Sequence, residues 1–418
     1  MKPRKIRRRS GGYRRSSFRH ESQAPKILGL IALFAVIVVA GFFAGKLLFG
    51  DNAPDKADPG QTTTTTTTTG SSSTEGTTTT TTTTQAATAN GMPTMNSVKA
   101  FYLPTSALSN TETLKTTLQA AKKAGFTGVV FDLKDSTGGV WFEATGAHVA
   151  QAKSVKDGAL TKEQLTAVLT LCENEKMLAM PRLYAFLDRT APRALTSARI
   201  HYAGDPSMGW LDNSAESGGK PWLNPYSPQA HEYLIGLGTT LRDWGFKAVI
   251  YDGVQFPSQL WKAGFGDSAY TSQSKLEVLQ TFTKSLTAAM TGCEVSICAT
   301  GLGTIGESTA VYGGNPLSFG SAYLSPALYP SALGKSLTVG SETLTNLTAD
   351  PGKAVGAAYR LVNDRIKLMT TDAPKLLPWL ETGAYSTAQI QAEMDALGDA
   401  PFVLYNQNGR YDFTNLSA

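Results

Sequence analysis

From about Val98 onward, short apolar segments alternate with segments whose apolar residues recur every three or four positions. The short segments have the length and composition of buried parallel strands, and the longer ones are typical of amphipathic helices. This alternation predicts a parallel α/β architecture, in which helices cover the outside of a sheet.

Eight segments carry the strand pattern: Lys99–Leu103, Gly128–Leu133, Met177–Tyr184, Lys247–Tyr251, Glu294–Ala299, Ala322–Ser325, Lys375–Leu380 and Phe402–Tyr405. Seven helical segments intervene, and a loop of about forty residues follows the third strand. One helix begins at a capping box, Thr161 and Gln164, and another at Ser227-Pro228. Over about 320 residues, this order predicts a (β/α)8 barrel, a TIM barrel, with insertions. A doubly wound sheet is the alternative, although no Gly-x-Gly-x-x-Gly turn follows the first strand.

The N-terminal part of the chain has a different character. Residues 1–26 carry ten Lys and Arg side chains against one acid, Glu21, and Ile27–Gly45 has no charge at all. Nineteen helical residues would span roughly 29 Å, the thickness of a bilayer core. We expect a transmembrane helix over 27–49, a cytoplasmic tail over 1–26 and a barrel outside the cell. A signal peptide is the alternative, although its apolar region is usually shorter.

Residues 50–97 contain two runs of eight threonines, Thr62–Thr69 and Thr77–Thr84. This composition offers too little apolar surface to offset the entropy of ordering, so we expect a disordered tether. Without the tail and Lys46, the chain has 27 basic and 32 acidic residues, whereas the whole chain is at +5. The positive charge therefore belongs to the tail, and we expect no nucleic-acid ligand for the barrel.

Cysteine and histidine give no sign of a metal or a cofactor. The three cysteines, Cys172, Cys293 and Cys298, form no disulfide framework and are expected to be buried as small hydrophobes. The four histidines lack the spacing of metal ligands. We expect a monomer without a metal ion or a cofactor.

In a β/α barrel, functional side chains gather at the C-terminal ends of the strands. The polar residues at these positions are Asp132, Lys134, Asp135, Arg182, Asp252, Gln255, Tyr329, Glu381 and Asn406. Trp222, Asn224 and Trp379 lie in or beside the same loops. Flat aromatic faces combined with carboxylates and amides suit a carbohydrate ligand. We expect the substrate to be bound by Asp132, Lys134, Arg182, Trp222, Asn224, Gln255, Tyr329, Trp379 and Asn406.

Each candidate also has a structural interpretation. Lys134 would pair with a neighbouring aspartate to close a loop, Arg182 would bridge a barrel carboxylate, and loop tryptophans would pack a lid. Among these residues, Asp252 is the strongest candidate for a functional role, because it ends the apolar run 248–251 and so places a carboxylate at the rim.

The chain resembles the bacterial putative glycosyl hydrolase barrel domain, a group distantly related to the α-amylase type. The resemblance covers nearly all of 98–411. It rests on the ordered stretches Val-Lys-Ala-Phe-Tyr-Leu (98–103), Val-Phe-Asp-Leu-Lys-Asp (130–135), Trp-Leu-Asn-Pro-Tyr (222–226), Tyr-Asp-Gly-Val-Gln-Phe-Pro-Ser (251–258), Tyr-Leu-Ser-Pro-Ala-Leu-Tyr-Pro (323–330) and Pro-Trp-Leu (378–380). It implies hydrolysis of glycosidic bonds, and the family's aspartate on the fourth strand falls on Asp252.

Two positions depart from the pattern of that family. Gln255 stands where it usually has an arginine, and Cys298 stands where it usually has a second aspartate. Glycosidic cleavage normally needs two carboxyl groups, one of them with a raised pKa. The leading hypothesis is a membrane-anchored hydrolase of cell-wall or extracellular polysaccharide, with Asp252 as nucleophile or base and Glu381 or Asp135 as acid. An inactive carbohydrate-binding barrel in the cell envelope is the alternative.

Overall fold

The computed structural model describes residues 91–266, 273–383 and 385–418. In this part of the chain no helix has both the length and the apolar character needed to span a bilayer. The predicted tail 1–26, the predicted transmembrane helix 27–49 and residues 50–90 of the predicted tether lie outside the described residues.

The strands are, in chain order, β1 (Lys99–Leu103), β2 (Gly128–Lys134), β3 (Val140–Phe142), β4 (Val155–Leu160), β5 (Leu178–Tyr184), β6 (His201–Tyr202), β7 (Asp205–Gly209), β8 (Ala248–Asp252), β9 (Ala263–Gly264), β10 (Glu294–Thr300), β11 (Tyr323–Ala327), β12 (Ser336–Val339), β13 (Glu342–Thr345), β14 (Lys375–Leu376), β15 (Trp379–Glu381) and β16 (Phe402–Tyr405).

The helices are α1 (Thr111–Lys123), α2 (Ala147–Ala152), α3 (Lys162–Asn174), α4 (Ala191–Ala194), α5 (Pro228–Asp243), α6 (Lys275–Ala289), α7 (Gly301–Ile305), α8 (Pro351–Lys367) and α9 (Thr387–Asp395). The predicted capping box is present, since Thr161 and Gln164 satisfy each other's backbone groups at the start of α3. Ser227 caps α5 ahead of Pro228, as predicted.

A closed parallel barrel forms the body of the molecule. Its strands follow one another in the order β1, β2, β5, β8, β10, β11, β14 with β15, and β16, and β16 pairs again with β1. Every neighbouring pair in this ring is parallel. The eight predicted strands and the predicted β/α barrel are therefore confirmed, and the doubly wound sheet is excluded because the sheet closes.

Alternation along the strands divides the buried residues into two sets. One set fills the barrel interior and includes Ala100, Met180, Ile250, Leu377 and Val403. The larger set lies between the strands and the surrounding helices, where residues such as Leu118, Val168 and Leu237 pack. Because side chains in a strand alternate between faces, the same period carries polar residues into the barrel near its C-terminal rim.

The described chain packs against the barrel before the predicted boundary at Val98. Met95 is fully buried in the interior cluster, and its backbone N–H donates to Glu294 Oε2 at 2.8 Å. Glu294 Oε1 accepts a hydrogen bond from the Tyr323 hydroxyl at 2.6 Å. Glu294 and Tyr323 begin β10 and β11, so Met95 covers the N-terminal end of the barrel. The tether predicted to reach residue 97 is therefore wrong for its last few residues.

The insertions contain secondary structure that the sequence pattern did not predict. β3 and β4 extend the sheet beyond β2, with α2 between them, and β12 and β13 form a hairpin before α8. The loop predicted after the third strand contains α4, β6 and β7, and β9 joins β6 and β7 in a small antiparallel sheet. These strands are short and carry little alternation, so no periodic signal marked them.

Lys134 is buried on the outer side of the barrel rather than in an open site. It is fully buried, its Nζ pairs with Asp188 Oδ2 at 2.8 Å, and it donates to the carbonyl oxygen of Tyr184 at 2.6 Å. Asp188 Oδ1 accepts the backbone N–H groups of Thr190 and Ala191. The expectation that Lys134 contacts a ligand is therefore corrected: it joins the loops after β2 and β5.

Removal of this ammonium group should destabilise the fold. We expect Lys134→Ala to lower the free energy of unfolding by about 3–5 kcal/mol, because Asp188 would keep a buried charge without its partner. Urea denaturation followed by circular dichroism measures the difference. The matched control is Lys367→Ala, whose exposed pair with Asp364 at 2.9 Å should contribute less than about 1 kcal/mol. Equal losses in the two variants would contradict the assigned role.

Candidate active site

A single guanidinium group joins two carboxylates inside the C-terminal mouth of the barrel. Arg182 Nε and Nη2 donate to the two oxygens of Asp132 at 2.6 and 3.0 Å, and Nη1 donates to Asp252 Oδ2 at 3.3 Å. The Tyr102 hydroxyl adds a hydrogen bond to Asp132 Oδ2 at 2.9 Å. Asp132 is thus fixed at both oxygens, whereas Asp252 is held less tightly.

Strand register explains why these three charges meet. Asp132 on β2 pairs with Arg182 on β5, and Tyr184, two residues further along β5, pairs with Asp252 on β8. Residues two apart on a strand share a face, so Arg182 and Tyr184 both point into the barrel. Three neighbouring strands therefore place the guanidinium of Arg182 between the carboxyl groups of Asp132 and Asp252.

Aromatic rings surround the guanidinium of Arg182. Its central carbon lies 4.9–5.4 Å from the ring centroids of Tyr102, Tyr184, Trp379 and Tyr405. Burial acts to lower the pKa of Arg182, but the attraction of Asp132 and Asp252 outweighs it and holds the pKa above its ordinary value. The guanidinium therefore keeps its charge in a dry environment, where cation–π contacts replace part of its hydration.

A cavity of about 160 Å³ opens above this group. Its lining residues are Arg182, Tyr184, Asp252, Gln255, Cys298, Ala299, Thr300, Tyr312, Ser325, Ala327, Tyr329, Trp379 and Tyr405. Pockets for drug-sized ligands have volumes of roughly 300–1,000 Å³, so this cavity suits one small ring of a larger ligand. We call it the mouth cavity.

Asp252 combines exposure to the mouth cavity with an altered acidity. Its side chain is 26% exposed, and Oδ1 accepts the backbone N–H of Gly253 at 2.7 Å. Burial raises the pKa of Asp252, although the neighbouring Arg182 acts in the opposite direction. A carboxyl group with a raised pKa retains its proton to higher pH and can donate it to a ligand oxygen.

One wall of the mouth cavity is aromatic. The rings of Tyr329 and Tyr405 stack at 5.8 Å with 13° between their planes, and Trp379 lies beside Tyr405 at 5.7 Å. Among the described residues the buried indole N–H of Trp379 has no hydrogen-bond partner. A buried donor without a partner is costly, and an acceptor on a bound ligand would satisfy it.

Cys298 occupies the position where the family resemblance led us to expect a second aspartate. It lines the mouth cavity, and burial holds the pKa of its thiol well above the ordinary value. A neutral thiol supplies neither a carboxylate nor a strong acid. The second carboxyl group is Asp132, which was expected only to bind the ligand. It does not line the mouth cavity itself but is joined to Asp252 through Arg182.

The two residues expected as acids lie outside the mouth cavity. Asp135 Oδ1 accepts hydrogen bonds from Thr137 and Gly139, and Oδ2 accepts the indole N–H of Trp141. Burial acts to raise the pKa of Asp135, but the hydrogen bonds from Thr137 and Trp141 outweigh it and lower the pKa. Asp135 thus stabilises its own turn, and a carboxyl with a lowered pKa is a poor proton donor.

Glu381 has partners of its own at the rim. Its oxygens accept the backbone N–H of Ser331 at 2.8 Å, the Ser331 hydroxyl at 2.7 Å and the Tyr385 hydroxyl at 3.1 Å. These bonds tie β15 to the loop after β11, and Glu381 does not line the mouth cavity. This geometry corrects its assignment as the acid partner of Asp252.

Three further candidates serve the loops. Trp222 is buried against Trp210, and its indole N–H donates to Asp212 at 3.0 Å. Asn224 donates to the carbonyl of Phe265 and accepts the N–H of Tyr226. Asn406 forms a turn with Asn408 and Arg410. In contrast, Arg182, Gln255, Tyr329 and Trp379 line the mouth cavity together with Asp252.

Three tyrosines of the site were not among the residues expected from the sequence: Tyr102, Tyr184 and Tyr405. Each lies at or near the C-terminal end of a barrel strand, at an inward-facing position of the two-residue period. Counting that period back from the rim would have found them, but they read as ordinary apolar strand residues.

Comparisons with known proteins cover almost all of the barrel. Residues 100–411 match the family model described as "Putative glycosyl hydrolase domain". Curated protein sequences give no match to the chain.

Among solved structures, the chain is similar to a hypothetical protein from Ruminiclostridium thermocellum, with 21% identity over 47% of this chain and 96% of that one and a TM-score of 0.41. It is also similar to the catalytic domain of β-amylase from Paenibacillus polymyxa, with 9% identity, 77% and 95% coverage and a TM-score of 0.45. A third is the chitobiase of Flavobacterium johnsoniae, with 12% identity, 75% and 45% coverage and a TM-score of 0.44. The chain thus spans less than half the length of that chitobiase.

The raised pKa of Asp252 makes the stability of the fold depend on pH in a defined direction. The folded protein binds this proton more tightly than the unfolded chain, so the contribution is present below the ordinary pKa of 3.8 and is lost as pH rises through the folded pKa. We expect the melting temperature of Asp252→Asn to rise relative to that of the unchanged protein as pH increases from about 4 to 7.

Asp364→Asn is the control for this measurement. The hydrogen bond from Lys367 lowers the pKa of Asp364, so its contribution is complete above the ordinary pKa of 3.8 and is lost only as the pH falls below it. The effect of Asp364→Asn on the melting temperature should therefore stay nearly constant from about pH 4 to 7. A difference for Asp252→Asn that stays constant across this range would show that its ionisation is not disfavoured by folding.

Proposed function

From the premise that the chain belongs to the family described as "Putative glycosyl hydrolase domain", we propose that it is a glycoside hydrolase whose active site is the mouth cavity. The observation that carries the proposal is the pair of carboxyl groups, Asp132 and Asp252, joined by Arg182 beside an aromatic wall. Hydrolysis of a glycosidic bond characteristically uses two carboxyl groups in different protonation states.

The roles follow from the environments of the two groups. Asp252, with its raised pKa, is the proton donor to the leaving glycosidic oxygen. Asp132, fixed by Arg182 and Tyr102 beside the mouth cavity, is the negative partner that stabilises the developing positive charge from there. This assignment changes Asp252 from the expected nucleophile or base to the acid.

The remaining groups of the mouth cavity suit one sugar ring. The ring of Tyr329 offers apolar surface to the C–H groups of a sugar, while Gln255 and the indole N–H of Trp379 offer hydrogen bonds to hydroxyl groups. With Asp252 protonated, the charge of Arg182 is balanced by Asp132 alone, so the cavity suits an uncharged sugar.

A carbohydrate-binding barrel without turnover is the second candidate. It is favoured by Cys298, a neutral thiol where the family pattern has an aspartate, and by the complete engagement of Asp132 with Arg182 and Tyr102. Both candidates use the same mouth cavity, so only a measurement of bond cleavage separates them.

Cleavage is measured as new reducing ends released from wall glycans and common polysaccharides. We expect Asp252→Asn and Asp132→Asn to lower the rate by about 10²–10⁴-fold, because each removes one half of the acid–base pair. The activity of the unchanged protein should fall as pH rises past the raised pKa of Asp252, because the donor then loses its proton.

Glu381→Gln is the matched control, since Glu381 is a rim carboxylate that does not line the mouth cavity, and its rate should stay within about threefold. Glycans that are retained but never cleaved, with equal retention by the unchanged protein and Asp252→Asn, would favour the binding barrel instead.

We also propose that the barrel is a monomer anchored at the cell membrane. The supporting observation is the uncharged segment Ile27–Gly45 behind ten basic residues, which would keep residues 1–26 in the cytoplasm and export the barrel. Cell-wall or extracellular polysaccharide is then the substrate within reach of the threonine-rich tether that precedes Met95.

Extraction of membranes at alkaline pH tests the anchor. The full chain should stay in the membrane pellet, whereas deletion of residues 27–49 should release it, because roughly 20 apolar residues are needed to span the bilayer. External protease should remove the barrel from intact spheroplasts. A full chain that alkali releases, or a barrel protected from protease, would refute this localisation.

A further inference from the structure

A second cleft lies on the same face of the barrel as the mouth cavity. It has a volume of about 680 Å³, and its lining includes Tyr202, Met208, Asn213, Gln259 and Trp261. One wall comes from the segment after β5 and the other from the segment after β8, the two strands that end at Tyr184 and Asp252. We call it the tryptophan cleft.

Trp261 presents its ring to solvent. Its side chain is 74% exposed, whereas Trp210 and Trp222 nearby are 4% and 6% exposed and pack in a small core. A tryptophan that closes a lid would bury its ring, so this exposure is not explained by packing. Met208, 56% exposed, extends the apolar surface in the same cleft.

The exposed ring stands on a rigid support. The carbonyl of Trp261 accepts the indole N–H of Trp210 at 2.8 Å, and Lys262, at φ 55°, forms a turn that Ala263 N–H closes onto Leu260 O at 3.1 Å. β9 then pairs with β6, so the turn is part of a sheet. Ordering an exposed tryptophan in advance lowers the entropy lost when a ligand binds.

One face of the indole is already covered. Lys262 Nζ lies 4.3 Å from the ring centroid of Trp261, and it also approaches the ring of Tyr202 at 5.5 Å. The opposite face is left for a flat apolar partner, with the amides of Asn213 and Gln259 in the same cleft. An apolar face edged by amide groups matches a sugar ring, which has C–H faces and a rim of hydroxyls.

We propose that the tryptophan cleft is a second glycan-binding site, which holds a distant part of the same polysaccharide chain that enters the mouth cavity. The inference rests on the proposed function and deepens it, because it makes the substrate a polymer rather than a monosaccharide derivative. Trp261 lies nine positions after Asp252, so their Cα atoms are at most about 32 Å apart. The same loop carries Gln255 into the mouth cavity and Gln259 into the tryptophan cleft.

Binding of the full chain to insoluble polysaccharides tests the proposal. The probes are peptidoglycan sacculi, chitin, cellulose and granular starch, and sedimentation gives an apparent Kd for each. The measurements use Asp252→Asn, so that cleavage does not remove the ligand. We expect retention on at least one probe, about tenfold weaker retention for Trp261→Ala, and recovery of most of it with Trp261→Tyr, which restores an aromatic face.

Leu368→Ala is the matched control, because Leu368 is 75% exposed and lies just after α8, outside the tryptophan cleft. It should bind every probe as its parent does. Hydrolysis of short methylumbelliferyl glycosides, measured in the protein that retains Asp252, reports the mouth cavity separately. Trp261→Ala should leave this hydrolysis rate unchanged. If those glycosides are not cleaved but retention still depends on Trp261, the proposed hydrolase fails and the second binding site stands.

Two results would overturn the inference. One is the absence of retention on every probe, or retention that Trp261→Ala leaves unchanged. The other is a dimer, seen by light scattering, that Trp261→Ala converts to a monomer without any change in glycan retention. In that case the tryptophan cleft would be an interface between two copies of the chain.

Discussion

The arrangement of the barrel mouth depends on the ion pairs of Arg182. A guanidinium buried among aromatic rings is costly unless its charge is matched, and Asp132 matches it with two hydrogen bonds. That bidentate pair fixes the orientation of Arg182, which in turn leaves Nη1 directed at Asp252. The position of the acid at the mouth cavity is therefore a consequence of the pairing beneath it.

The same constraint separates the two aspartates chemically. Both carboxyl groups approach one cation, but Asp132 receives two of its N–H groups and a tyrosine hydroxyl. Asp252 receives one longer bond from Arg182 and the backbone N–H of Gly253. Burial then dominates at Asp252 and raises its pKa. One cation shared unequally between two carboxyl groups gives two residues of the same type different environments, which the proposed acid and anion roles require.

Polar residues close together along the chain differ because β2 is irregular at its end: Asp132 and Lys134 would share a face in a regular strand, but the register shifts between them. Asp132 points into the barrel, whereas Lys134 lies beyond a register irregularity and points outward to Asp188. Asp135 leaves the strand and caps its own turn. Three charged residues within four positions therefore have three different roles.

The sequence by itself determined the barrel, because the two-residue and 3.6-residue periods of its apolar positions are local and depend on burial alone. It also located Asp252, since a carboxylate that ends an apolar strand must lie at the rim. Only the tertiary structure decided the partner of Asp252 and the removal of Glu381, Asp135 and Lys134 from the mouth cavity. The exposure of Trp261 was likewise visible only in the tertiary structure. The partner of Asp252 and the surroundings of Trp261 depend on contacts between strands and loops distant in sequence, and no local period encodes their register.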